Sequence, residues 1–159
     1  MTLEPKTVKA SQSELSELAL PNDANGLGNL LGGKLMHLMD IAGSLAAARH
    51  ARTFVVTASF DHMNFLAPVR IGQLVLLYSS VNRAFRTSME VGVKAFVEDL
   101  QTGERKHVAS AYLTFVALDA SRNPVSVPAL VPQTEAEKRR YAQAAERRSY
   151  RLRLLNKDR

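Results

Sequence analysis

One acidic side chain stands alone in an apolar run. In "GGKLMHLMDIAGSLAAARH", residues 32–50, Asp40 is flanked by apolar residues at 35, 36, 38, 39, 41, 42 and 45–48. An ionised carboxylate in such surroundings is costly unless it is hydrogen-bonded, paired or placed at a cleft. Two readings stay open: a structural hydrogen bond to a neighbouring turn or strand, or a catalytic acid or base at a subunit interface. Just ahead lies "NDANGLGNLLGG", with Asn25 and a Gly32-Gly33 pair. Asn and Gly before a helix are ordinary turn chemistry. The pair would also leave free backbone N–H groups at a helix N-terminus, where positive dipole character suits an oxyanion forming on a carbonyl.

Other chemistries find less support. The chain has no cysteine, which removes disulfides, Cys-ligated zinc and thiol nucleophiles. His37, His50, His62 and His107 lack metal-ligand spacing and read as ordinary helix, loop and strand residues, so no metal site is expected. There is no G-x-S-x-G elbow, and Ser44 within "IAGSLA" lacks that context. Phosphate-loop and dinucleotide fingerprints are also missing. Serine hydrolases and nucleotide-hydrolysing enzymes are therefore disfavoured.

The elements that must position Asp40 and Asn25 follow from periodicity. The apolar positions of residues 35–50 cover nearly every side of a helix, which predicts a helix enclosed by other structure. Gly32-Gly33 marks its start and Thr53 its end. Beyond it the period changes to two. "TFVVTAS" predicts a strand to about Ser59 and then a loop. "PVRIGQ" predicts a turn into the strand "LVLLYSSVNRA". In "TSMEVGVKAFVED", Met89, Val91, Val93, Ala95 and Val97 share one face, with Ser88, Glu90, Gly92 and Lys94 on the other. His107 to Leu118 forms a further long strand after the "QTGE" turn. "PVSVPALVP" is an extended connection. Thr134 to Glu137 is a capping box opening a last helix of roughly three turns. Residues 1 to about 20 are polar, with room for a short strand or loop.

The pattern is α+β: an antiparallel sheet wrapped around one long central helix, with a basic C-terminal helix, as in the hotdog architecture. At 159 residues, one folded unit is expected. Its parts would be an N-terminal segment (1–19), a hotdog domain (20–132) and a basic C-terminal helix and tail (133–159). The N-terminus lacks a signal-peptide pattern and no apolar run reaches spanning length, so a soluble cytoplasmic protein is expected. The net charge of +6 is uneven: residues 138–159 hold nine Lys or Arg against two acids, a local +7, which leaves −1 for the rest. Such a tail suits nucleic acid, an anionic membrane surface or a phosphorylated small molecule. Only Tyr141 and Tyr150 are placed there to stack bases, which argues against nucleic acid.

Taken in order, "PNDANGLGNLLGGKLMHLMDIAGSLAAARH", "VVTASFDHMNFLAPVRIGQ", "RTSMEVGVKAFVE", "TFVALD" and "VPALVPQTEAEKRRYAQAAERR" resemble the hotdog-fold acyl-coenzyme A thioesterases of the cytosolic acyl-CoA hydrolase type. The resemblance covers about residues 20–150. It implies hydrolysis of acyl-CoA to free fatty acid and coenzyme A. In such enzymes an Asn and an Asp meet across a dimer interface, here Asn25 and Asp40. Asp40 would activate water or attack the thioester itself, Asn25 would hold the water or the carbonyl, and the Gly33 N–H would be the oxyanion donor. The resemblance further implies coenzyme contacts at Thr57, Ala58, Ser59, Arg86, Thr87, Ser88 and Arg148. Guanidinium groups suit the phosphates of coenzyme A. It implies no separate cofactor, since coenzyme A is part of substrate and product, and a homodimer, commonly assembled as a trimer of dimers. The alternative is a non-catalytic hotdog protein that binds acyl-CoA, or an acidic macromolecule through its tail.

Overall fold

A computed structural model describes residues 3–159; the first two residues of the expected N-terminal segment lie outside the described residues. In chain order the elements are β1 (Lys6–Thr7), β2 (Ser13–Leu18), α1 (Gly32–Ala51), β3 (Phe54–Phe65), β4 (Leu74–Ala84), β5 (Ser88–Glu98), β6 (Arg105–Leu118), β7 (Leu130–Val131) and α2 (Glu135–Lys157). Five strands form one antiparallel sheet in the order β2-β4-β5-β6-β3. β1 and β7 pair in parallel, which ties the N-terminal segment to the proline-punctuated connection.

The inner face of the sheet closes on α1. Met89, Val91, Val93, Ala95 and Val97 are all buried, as their alternation predicts. Gly43 allows the close approach: a Cβ there would meet the Phe115 ring at 3.0 Å. The Ser79 hydroxyl donates to the Ala42 carbonyl at 2.6 Å. Arg52, in the left-handed conformation with φ 53°, ends the helix, and its N–H donates to the Ala48 carbonyl.

Three features differ from the sequence expectations. First, α1 is apolar all round but buried along one stripe only, through Leu35, Leu38, Met39, Ala42, Gly43, Ala46, Ala47 and His50. Met36 and Leu45, on other sides, are exposed. Second, β3 does not stop near Ser59 but runs to Phe65, because two bulges, at Ala58 and at Asp61, absorb residues that break the strict alternation. It is an edge strand, and Phe54, Val56 and Phe65 stay exposed along it. Third, α2 has 23 residues, more than six turns. Its capping box forms as expected, with Thr134 Oγ1 accepting from the Glu137 N–H and Glu137 accepting from the Gln133 N–H. Nothing after it stops the helix, since residues 138–156 contain neither Gly nor Pro.

His50 lies in the last turn of α1, fully buried. Its Nε2 is 2.7 Å from the Pro128 carbonyl. A carbonyl only accepts, so Nε2 carries the proton and Nδ1 keeps a lone pair that meets no partner among the described residues. Burial pulls the pKa of His50 below its ordinary 6.5, the Pro128 bond opposes that shift, and Lys6 adds to it. The folded protein thus holds a neutral ring that an unfolded chain would protonate. Stability is fully present above about 6.5 and declines as pH falls from there toward the lowered folded value. We expect His50→Gln to flatten this part of a Tm-versus-pH curve; the same slope in wild type and variant would show that His50 does not contribute.

Candidate active site

Asn25 sits in a loop that its own side chain organises. Its Oδ1 accepts from the N–H groups of Leu27 (2.9 Å) and Asn29 (3.1 Å). Two backbone donors fix the orientation of the amide, with the oxygen turned into the loop and Nδ2 left to donate elsewhere. The backbone closes the loop around it, with Asn25 N–H to Asn29 O at 2.7 Å and Gly28 at φ +77°. Asn25, Gly32, Leu35, Phe65 and Leu66 line an open cavity of about 370 Å³. The first N–H groups of α1, at Gly32 and Gly33, have no side-chain cap, and Gly32 is one of the residues that line the cavity. Gly33 is exposed, and a Cβ added there would meet nothing within 4 Å. This loop and helix end therefore present hydrogen-bond donors and positive dipole character to a cavity with apolar walls.

Asp40 lies elsewhere on the same helix. Seven residues past Gly33, it is about 10 Å further along the axis, and it does not line that cavity. It is partly exposed, and its Oδ1 accepts from the Thr57 hydroxyl at 2.6 Å. This is the hydrogen bond to a strand that the plainer reading of Asp40 calls for. It also leaves Oδ2 without a partner among the described residues. The donor groups and the carboxylate are thus not brought together within one chain.

The remaining expected positions gather at one end of the sheet. Thr57 pairs with Phe115 in β6, and Phe115 pairs with Met89 in β5, beside Ser88. Thr57–Ser59 and Arg86–Ser88 are therefore about two strand spacings, roughly 10 Å, apart. The bulge leaves Ala58 unpaired on β3. Arg148, on α2, reaches the β4–β5 turn by stacking on the Phe85 ring at 4.6 Å. Arg86 is exposed, and neither it nor Arg148 has a carboxylate partner among the described residues. Two guanidinium groups left without counter-charges at one end of the sheet suit a phosphorylated ligand.

Sequence reasoning missed the polar seam that holds α2 on the outer face. Glu90, 1% exposed, receives Arg147 through two bonds, Nε to Oε2 at 3.0 Å and Nη2 to Oε1 at 2.7 Å. Asn82 donates to the same carboxylate at 3.0 Å, and Arg147 stacks on Tyr112 at 3.7 Å. Burial by itself would lower the pKa of Arg147. The hydrogen bonds and charge of Glu90, helped by Tyr112 and Asp61, outweigh it and hold the pKa above its ordinary value. Further along, Arg151 donates to Asp61 at 2.7 Å, and Asp61 also accepts from Ser59 and Thr114. The available signal was Glu90 itself, an acid inside "MEVGVKAFV" just as Asp40 is inside its helix.

A long helix cradled by an antiparallel sheet, with a glycine-led helix start and a carboxylate midway along it, defines a hotdog protein. The sequence relatives agree. The family model described as the thioesterase superfamily matches residues 27–104. The chain is 45% identical over 136 residues to an uncharacterized acyl-CoA thioester hydrolase, YkhA, of Bacillus subtilis, covering 86% of this chain and 79% of that protein. It is 39% identical to the mouse acetyl-coenzyme A thioesterase over 89% of this chain but only 26% of that longer protein. Among solved structures, a hexameric acyl-CoA thioesterase superposes with a TM-score of 0.92 at 38% identity, covering 96% of this chain and 98% of that one. The acyl-CoA hydrolase of Staphylococcus aureus, solved with butyryl coenzyme A and coenzyme A, superposes with a TM-score of 0.87 at 34% identity, covering 96% and 94%. That enzyme has also been solved with an Asn, an Asp and a Thr each replaced by Ala. The chain belongs to the hotdog-fold acyl-CoA thioesterase family.

The seam makes a direct prediction. Arg147→Met strands a buried carboxylate and should lower stability by about 3–5 kcal/mol. The double variant Glu90→Gln/Arg147→Met should recover much of that loss in urea unfolding, whereas equal instability of both proteins would mean that the ion pair is not the cause.

Proposed function

We propose that the protein hydrolyses acyl-CoA to a free acid and coenzyme A at two equivalent sites in a dimer. Each site takes Asp40 from one subunit and Asn25 with the Gly33 N–H from the other. The observation that carries this reading is the separation just described: carboxylate and donor groups are about 10 Å apart along one helix, and each group is open. The unpaired apolar edge of β3 supports it, because a strand of 12 residues with Phe54, Val56 and Phe65 exposed is a surface that native proteins cover. So do the exposed sides of α1 at Met36 and Leu45. The three replaced residues of the staphylococcal enzyme have the same spacing along the chain as Asn25, Asp40 and Thr57.

In this reading Thr57 holds Oδ1, so that Oδ2 of Asp40 faces a water. The water oxygen attacks the thioester carbonyl carbon while its proton passes to Oδ2. The carbonyl oxygen becomes an oxyanion held by the Gly33 N–H and Asn25 Nδ2. Collapse of the tetrahedral intermediate breaks the C–S bond, and the proton on Asp40 goes to the departing thiolate. Water is the only co-reactant. Thr57–Ser59, Arg86–Ser88 and Arg148 would carry the coenzyme, with Arg86 and Arg148 toward its phosphates. The alternative of a polyanion-binding tail is weakened by Arg147 and Arg151, whose charges are committed to Glu90 and Asp61.

We expect Asp40→Asn to lower kcat by about 100- to 10,000-fold with unchanged circular dichroism. Asp40→Ala and Asn25→Ala should each be nearly inactive alone. Co-expressed, they form mixed dimers with one complete site, and statistical assembly of a two-fold dimer predicts recovery of about a quarter of wild-type activity. A co-expressed pair as inactive as its parents would remove the shared site.

A further inference from the structure

The outer-face contacts of α2 trace its path across the sheet. Over β4, Arg83 stacks on Tyr141 at 3.9 Å and donates to its carbonyl. Over β5 and β6, Arg147 joins Glu90 and Tyr112. At the edge, Arg151 meets Asp61 of β3. From Tyr141 to Arg151 the helix advances about 15 Å, and the strands from β4 to β3 span about 14 Å, so α2 runs nearly square across them. It does not stop at the edge. Residues 152–157 carry it about 9 Å further, roughly two strand widths past the last strand of its own chain. Leu154 and Leu155 follow Arg151 by three and four residues and so share its sheet-facing side. They are nevertheless 44% and 53% exposed, because among the described residues no strand lies beneath them.

Resting on the dimer proposed above, we infer that the last turns of α2 are a strap between subunits, with Leu154 and Leu155 packed on the second copy of the chain paired along β3. The occupant is a second copy because the overhang continues directly from the unpaired edge of β3, which already offers exposed apolar residues to the same neighbour. The strap also bears on the site. Asp61, which anchors it, accepts from Ser59 next to the Ala58 bulge, and Arg148 lies one turn before Arg151.

The test is the double variant Leu154→Ser/Leu155→Ser in the full chain, which removes no buried side chain of the single subunit. Sedimentation and dilution-dependent hydrolysis should show the dimer dissociation constant raised by about tenfold or more. Activity should return at high protein concentration. Three outcomes overturn the strap while leaving the shared site standing: an unchanged dimer constant, a shift only from a larger assembly to dimers, or an unchanged dimer that loses binding to vesicles of anionic lipid. A wild-type chain that is monomeric and fully active would remove the strap and the shared site together.

Discussion

The structure turns on a long apolar helix that its own sheet covers on one side only. Leu35, Leu38, Met39, Ala42, Ala46 and Ala47 face the strands and make the core; Met36 and Leu45 face away and stay exposed. Burial of apolar surface is the main favourable contribution to folding. A helix with apolar residues left over therefore retains a driving force to associate. Those residues share the chain's surface with the β3 edge, where outward backbone N–H and C=O groups have no strand partner among the described residues. Both deficits are met by one kind of event, the addition of more sheet and more helix alongside the first.

Asp40 gains its meaning from this half-covered state. A carboxylate on the buried stripe would have to be neutral or tightly paired. One on a fully solvated face would have ordinary chemistry. Asp40 is between these, partly exposed, and held by a single hydroxyl from the edge strand. Association along that edge would strip water from the carboxylate without displacing its partner Thr57. The catalytic environment in the proposed dimer is then a product of assembly, while the orientation of the acid is already set in the single chain.

How far this could be read from residues alone depended on whether the pattern was local. α1, β4, β5 and β6 follow from apolar periodicity, and the helix cap at Thr134 from four adjacent residues. Asp40 stood out because its neighbours on the chain are apolar. β3 was read too short since its bulges, at Ala58 and Asp61, are settled by pairing with β6, more than fifty residues away. Glu90 was assigned to a polar face, and it is buried only because α2 crosses above it. α2 outruns its three expected turns: no Gly or Pro interrupts it, and its charged later turns are seated by acids in β5 and β3. What the sequence leaves hidden in each case is a contact between distant segments.

β3 is where these constraints meet. Within six residues it carries Val56 of the open edge, Thr57 that holds the candidate catalytic acid, the bulged Ala58 and Asp61 that receives Arg151 from α2. A bulge increases local twist and re-aims side chains, so the spacing between Thr57 and Asp61 is set by two irregularities rather than by strand geometry. Changing one bulge would move the hydroxyl under Asp40, the anchor of α2 and the line of the edge together. Substitutions along this strand should consequently be strongly non-additive, because they share partners and a common backbone. The same coupling gives the strand its economy: a single irregular edge orients the acid, seats the outer helix and forms the surface on which a second subunit would pair.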